Sequence, residues 1–164
     1  MTVNLHVRVD SRLLHGQVVQ FWLGHLEITH LIIADDEVAK TEAMAAIYRM
    51  ALPEAVVLTV IPVQQLCAEL MRHESSSTMI LVREVDDAAQ TLMTVGATDR
   101  LTLGNVHMAS DRARVTDSVY LSDAQISQLV RLTEHGIAVE IQTFPGEILR
   151  LVSNGEGGAE WSRP

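Results

Sequence analysis

The sequence predicts an α/β fold, a doubly wound and mostly parallel sheet with helices on both faces. Three observations carry that prediction. Short apolar runs alternate with stretches of helical periodicity along most of the chain. One run, His30 to Asp35, is continuously apolar up to its final acid, the pattern of a parallel strand buried on both faces. Helix start and stop signals fall between the runs. Such alternation implies βαβ units with right-handed crossovers.

The elements follow in order. Asn4 to Asp10 alternates and is rich in valine, a strand. After the polar turn Asp10–Arg12, a helix is expected from Gly16 to Gly24, because Val18, Val19, Trp22, Leu23 and Leu26 recur at three- and four-residue spacing. His30–Asp35 is the second strand. A helix follows from Asp36 or Glu37 to Met50, stopped by Leu52-Pro53. Val56–Val60 is the third strand. Pro62 suits the first turn of a helix reaching Arg72. His73–Ser77 reads as a loop and Met79–Val82 as a strand. Asp86 or Asp87 is placed to cap a helix ending at Val95-Gly96. Leu101–Leu103 is a strand, Gly104–Arg114 a loop, and Val115–Leu121 holds one short strand. Ser122-Asp123-Ala124-Gln125 is a capping box flanked by the staple pair Leu121 and Ile126. Its helix stops at His135-Gly136. Ala138–Thr143 is the last clear strand, and 154–164 reads as a flexible tail to a single domain spanning 1–164.

Composition narrows the function. A chain of 164 residues is long enough for one full core. Aromatics make up only 4%, so that core must be aliphatic. No apolar run approaches the roughly 20 residues that span a bilayer, and the N-terminus lacks a signal-peptide pattern. The single cysteine, Cys67, suits a reducing cytoplasm. A net charge of −9 argues against nucleic acid as a partner. Walker, dinucleotide, nucleophile-elbow and zinc-finger motifs are all missing.

In an open α/β sheet, ligands bind outside the carboxyl ends of the strands. That edge would gather Asp10 and Arg12, Asp35 and Asp36, Arg83 and Glu84, and Asn105 and His107. His15 stands just before a helix, where free amides and the helix dipole favour an anion. An unprotonated imidazole nitrogen is a nucleophile. A phosphoryl group on it would be met by Arg12 and by loop amides, Leu14, Gly16 and Gln17 being candidates. The second ring nitrogen needs a hydrogen bond to fix the tautomer, from Asp10 or from a backbone carbonyl.

The run Arg8-Val9-Asp10-Ser11-Arg12-Leu13-Leu14-His15-Gly16-Gln17-Val18 closely resembles the phosphorylation loop of IIB subunits of the mannose/fructose/sorbose class of the bacterial sugar phosphotransferase system. The resemblance extends through Ile33–Ala39, Leu103–His107 and Gly136–Glu140. It implies a mostly parallel sheet with an antiparallel edge. It also implies a cytoplasmic phosphocarrier: His15 receives a phosphoryl group from a phosphohistidine on a IIA partner. His15 then passes it to the 6-hydroxyl of a sugar entering through the membrane IIC/IID subunits. Catalytic roles fall on His15, Arg12 and Asp10, with no cofactor and no metal. Association with the membrane transporter is peripheral, and a homo-oligomer is implied. Ser11 departs from the pattern, since many relatives carry a second acid there. Gly104–His107 looks more like N-acetylgalactosamine-type members than mannose-type ones.

Blander readings stand beside these. Asp35-Asp36-Glu37 forms an N-cap with first-turn acids, against a contact with substrate or partner. Asn105 and His107 serve either loop structure or such a contact. Two rival functions remain: a regulatory phospho-acceptor without transport, and a metal-dependent phosphatase using Asp10, Asp35, Asp36 and His107.

Overall fold

The structure is a computed structural model that describes residues 4–72, 77–155 and 158–164. Strand β1 (Leu5–Asp10) leads through a loop to a π-helical turn (Val18–Trp22) and α1 (Leu23–His25). Then come β2 (His30–Ala34), α2 (Asp36–Lys40), α3 (Glu42–Ala51) and β3 (Val57–Ile61). A 3₁₀ turn (Val63–Gln65) precedes α4 (Leu66–Arg72), β4 (Thr78–Val82), α5 (Val85–Val95) and β5 (Arg100–Asn105). The last third holds β6 (Ala113–Arg114), β7 (Tyr120–Leu121), α6 (Asp123–Glu134), β8 (Ala138–Ile141), β9 (Leu149–Ser153) and β10 (Ala159–Ser162).

The main sheet has the order β10-β9-β8-β5-β1-β4-β2-β3. From β3 through β8 all neighbours are parallel. β9 and β10 add the antiparallel edge. The predicted doubly wound sheet is therefore present. The chain fills one side of β1 with β2, β3 and β4, then crosses to β5 and β8. The carboxyl end of β1 consequently lies where the connections diverge, which opens a crevice there.

Each face of the sheet has its own apolar layer. Leu5, Val7 and Val9 of β1 join Ile80, Val82, Leu101 and Leu103 against α4, α5 and α6. Leu31, Ile33, Met79 and Leu81 pack on the other face against Val18, Trp22, Leu23 and Val38. On that second face the alternating β1 residues are His6, Arg8 and Asp10. The middle strand of the sheet thus carries a polar row where its neighbours carry aliphatics.

Several expectations need correction. The helix expected over Gly16–Gly24 is mostly a π turn, in which the Leu23 amide reaches back to the Val18 carbonyl. The helix expected to run unbroken to Met50 breaks at Thr41, which is extended and starts α3; β-branched residues favour such a break. Neither Asp86 nor Asp87 caps α5. Glu84 holds the cap position, because the fully buried Val85 begins the helix early. Val115–Leu121 holds one short strand, β7, as expected, but Ala113–Arg114 of the expected loop pairs with it as β6, and the Thr116 hydroxyl shapes the turn between them by accepting the Ser118 and Val119 amides. β5 runs on to Asn105 in the expected loop, and β8 stops at Ile141 rather than Thr143.

The capping box at Ser122 and Gln125 forms in both directions, and Gly136 takes the left-handed stop at φ +83. The stretch read as a flexible tail instead holds β10, where Trp161 pairs with Leu151 and packs on the main core. Glu156 and Gly157, and residues 73–76 of the predicted loop, lie outside the described residues.

Candidate active site

The site is built on a break in register. Between Val9 and Asp10 the β1–β5 pairing shifts, so that Val9 opposes Leu103 and Asp10 opposes Asn105. Gly104 is the extra residue on the β5 side. Bulges of this kind re-aim side chains beside active sites. Asp10 ends β1 with no solvent exposure.

The Asp10 carboxylate then organises the loop. Its Oδ1 accepts the Arg12 amide at 3.1 Å, and its carbonyl accepts the Leu13 amide at 2.9 Å. These two bonds fold an Asx-type turn. Leu13 takes a left-handed backbone (φ 54), a costly conformation for a bulky residue, and its side chain is fully buried. Burial of Leu13 and Leu14 in the second apolar layer pins the turn and aims His15 back at β1. His15 Nε2 lies 2.9 Å from Asp10 Oδ2, with the histidine side chain 13% exposed. A carboxylate can only accept, so Nε2 carries the hydrogen and donates it. Nδ1 then holds the lone pair. Among the described residues it has no hydrogen-bond partner.

Three more loops are tied to the same point. Ser11 donates its amide to the Asn105 carbonyl at 2.9 Å. Its hydroxyl accepts the His107 amide at 3.1 Å, and its carbonyl accepts Arg83 Nη1 at 3.1 Å. Arg83 Nε also donates to Asp35 Oδ2 at 2.6 Å. Strand ends β1, β2, β4 and β5 are thereby laced together. The serine that departs from the family pattern is thus a fully bonded anchor.

The predicted site residues divide into two groups. Asp10, Arg12, Leu14, His15, Gly16 and Gln17 come together in one loop. Arg12 is exposed, and its Nη2 donates to Gln17 Oε1 at 3.1 Å. Asp35 follows the capping alternative: Oδ1 accepts the Glu37 and Val38 amides. Burial pushes the Asp35 carboxyl up, but the bonds from Arg83 and the Val38 amide outweigh it and hold the group below the usual range. Asp36 accepts the Val63 amide at 2.9 Å. Asn105 is half-buried at the end of β5, and the His107 ring is exposed at the same edge. Sequence reading missed Arg83 as a brace, Arg8 behind Asp10, and the need for Gly104. The available signal was an arginine set between Val7 and Val9 in the middle of the first strand. Among the described residues no three His, Cys, Asp or Glu side chains are grouped as metal ligands would be.

Fold and site together define a doubly wound α/β protein. Its first strand ends in an acid that orients an imidazole on the loop that follows, with no hydrogen-bond partner for Nδ1 among the described residues. The sequence matches the family described as PTS system sorbose subfamily IIB component over residues 4–152, and the chain belongs to that family. It is 26% identical over 141 residues to the N-acetylgalactosamine-specific phosphotransferase enzyme IIB component 2 of Escherichia coli, covering 85% of this chain and 90% of that one. The crystal structure of an N-acetylgalactosamine IIB component from Streptococcus pyogenes superposes with a TM-score of 0.77 at 25% identity, covering 88% and 91% of the two chains. The IIB domain of the sorbose permease from Klebsiella pneumoniae shares the fold, with a TM-score of 0.78 at 21% identity over 90% and 91%. IIB components are sugar phosphotransferases. They accept a phosphoryl group from a IIA component, pass it to a sugar, and work with IIC and IID membrane subunits. No helix among the described residues is long and apolar enough to cross a membrane.

Proposed function

We propose that His15 Nδ1 is the phosphoryl acceptor of this IIB component. The observation that carries the reading is the Asp10–His15 bond, which occupies Nε2 and leaves Nδ1 as the nucleophile. The Nδ1 lone pair attacks the phosphorus of a phosphohistidine on the IIA donor. The donor's N–P bond breaks as the new one forms. Arg12, steered by Gln17, pairs with the phosphoryl oxygens, and the Leu14, Gly16 and Gln17 amides supply further donors. The sugar hydroxyl then attacks the same phosphorus, loses its proton, and releases His15. Positioning and charge stabilisation suffice for such transfers. Asp10 keeps the ring in one tautomer throughout.

The acceptor is taken to be a hexose or N-acetylhexosamine, the latter in line with the relatives that carry N-acetylgalactosamine in their names. The exposed His107 ring and Asn105, beside the loop, are the residues proposed to meet the partner or sugar. The protein would act in the cytoplasm, docked on its membrane subunits.

The test is intact-mass spectrometry at alkaline pH after incubation with phosphoenolpyruvate, the general phosphotransferase proteins and a IIA donor. One added phosphate on the wild type and none on His15→Ala is the expected result. Phosphate on both would move the site to another residue. No phosphate on the wild type with a competent donor would end the proposal.

A further inference from the structure

Beneath the Asp10–His15 pair lies a buried cation to which the transfer chemistry gives no role. Arg8 is 1% exposed. Its Nη1 donates to the Gln142 carbonyl at 2.8 Å. Its guanidinium carbon lies 4.7 Å from the Trp22 ring centroid, a cation–π contact. The π turn after His15 carries Trp22 to this position, and Trp22 Nε1 donates to the neighbouring Thr143 carbonyl at 3.0 Å. Gly104 completes the slot: a Cβ there would overlap the Arg8 guanidinium. Arg8 Nη2 stands 3.5 Å from Asp10 Oδ2, the same oxygen that accepts from His15. Among the described residues Arg8 Nε and Nη2 make no hydrogen bond of their own.

This is a costly arrangement for a merely structural arginine. A buried charge is retained only against an opposite one, and aliphatic side chains fill the equivalent positions on β2 and β4. Burial lowers the Arg8 pKa to about 10, offset in part by Asp10, so the group is still a cation at neutral pH.

We propose that Arg8 is a positioning residue that offsets the Asp10 charge and so keeps His15 neutral and nucleophilic when it receives its phosphoryl group. The proposal rests on His15 being the acceptor. The physics is direct. A carboxylate at hydrogen-bond distance favours the imidazolium, which has no lone pair with which to attack. A cation against the same oxygen opposes that pull. Among the described residues the other charged groups at this edge include Arg12 from the loop, Asp35, Asp36 and Glu37 after β2, Arg83 and Glu84 after β4, and His107 and Arg112 after β5. Asp35 is matched by Arg83, and Glu84 by Arg112. Asp10 is the acid that touches the ring, and Arg8 is the cation behind it.

The experiment compares the pH dependence of the phosphorylation rate in wild type, Arg8→Met, Arg8→Lys and Gly104→Ala. Arg8→Met should move the acid limb up by about one to two pH units. The deficit is then about tenfold or more near pH 6.5 and fades in mild alkali. Gly104→Ala keeps the charge but displaces the guanidinium, so it should move the limb the same way by less. Arg8→Lys should return the limb toward wild type. In parallel, NMR follows the pH titration of the His15 ring in the unphosphorylated proteins, where the same ordering is expected. A rate lowered by one factor at every pH, with the ring titration unmoved, would overturn the proposal. If Arg8→Met does not fold, Gly104→Ala decides. The ring titration needs no donor, so a wild type that takes no phosphate would end the carrier reading while leaving the Arg8 test intact.

Discussion

Two acids in this sheet are equally hidden, and they do opposite things. Asp10 on β1 and Glu140 on β8 both show no exposed surface. Glu140 is clamped across strands by Arg150 of β9, at 2.7 Å, and faces Arg100 of β5 at 3.5 Å. Both arginines are almost half exposed. Glu140 therefore fixes the alignment of three strands with cations that reach water. Asp10 faces a cation that does not, since the Arg8 side chain is 2% exposed, and the ring of His15, the proposed phosphoryl acceptor, at 2.9 Å. Burial of an acid does not by itself report its role. What stands opposite it, and whether that partner can be solvated, does.

The comparison ranks substitutions. Asp10→Ala leaves Arg8 buried without its counter-ion, so unfolding free energy should fall by about 3–5 kcal/mol, measured by urea denaturation. Glu140→Ala frees arginines that can turn to solvent. Its cost should be about 1–3 kcal/mol, with the pH profile of His15 phosphorylation unchanged. Equal losses at the two sites would break the comparison. Asp35 sharpens it from between, because its partner Arg83 is partly exposed and two amides also hold it. Arg83→Met should cost about 0.5–1.5 kcal/mol. Because the Asp35 carboxyl lies below its usual 3.8, its contribution is present above that pH and lost as pH falls through the lower folded value. Acid denaturation of Asp35→Asn should then be flatter than that of wild type below about pH 3.8. Asp87 is the smallest case and has the opposite sign. Burial, with Glu84 and Asp86 nearby, raises its pKa, so its ionised form opposes folding at neutral pH. Asp87→Asn should stabilise by no more than about 0.5 kcal/mol, and the gain should vanish as acid protonates the native carboxyl.

Much of this was legible in the chain. The alternation gave the parallel sheet because periods of 2 and 3.6 are local properties of a strand and a helix. The capping box at Ser122–Gln125 and the stop at Gly136 were readable for the same reason: their bonds close within a few residues. His15, Arg12 and Asp10 stood out because one loop supplies all three. The misses share a cause as well. β10 exists because Trp161 has an apolar surface to cover, and that surface is assembled from β9 and the main core. The π turn is set by the Arg8 ring contact and the Thr143 carbonyl, which lies far along the chain.

The sequence by itself determined the alternation of the parallel strands and their helices and the loop that carries the candidate nucleophile, since each follows from near neighbours and from water's exclusion of aliphatic surface. Only the tertiary structure decided which nitrogen of His15 is free, what Ser11 and Arg83 brace, and why residue 104 must be glycine. Those answers depend on which strands lie side by side. Asp10, Asn105 and Gln142 meet only because β1, β5 and β8 are neighbours in the sheet, and electrostatics acts through space at a few ångströms whatever the separation along the chain.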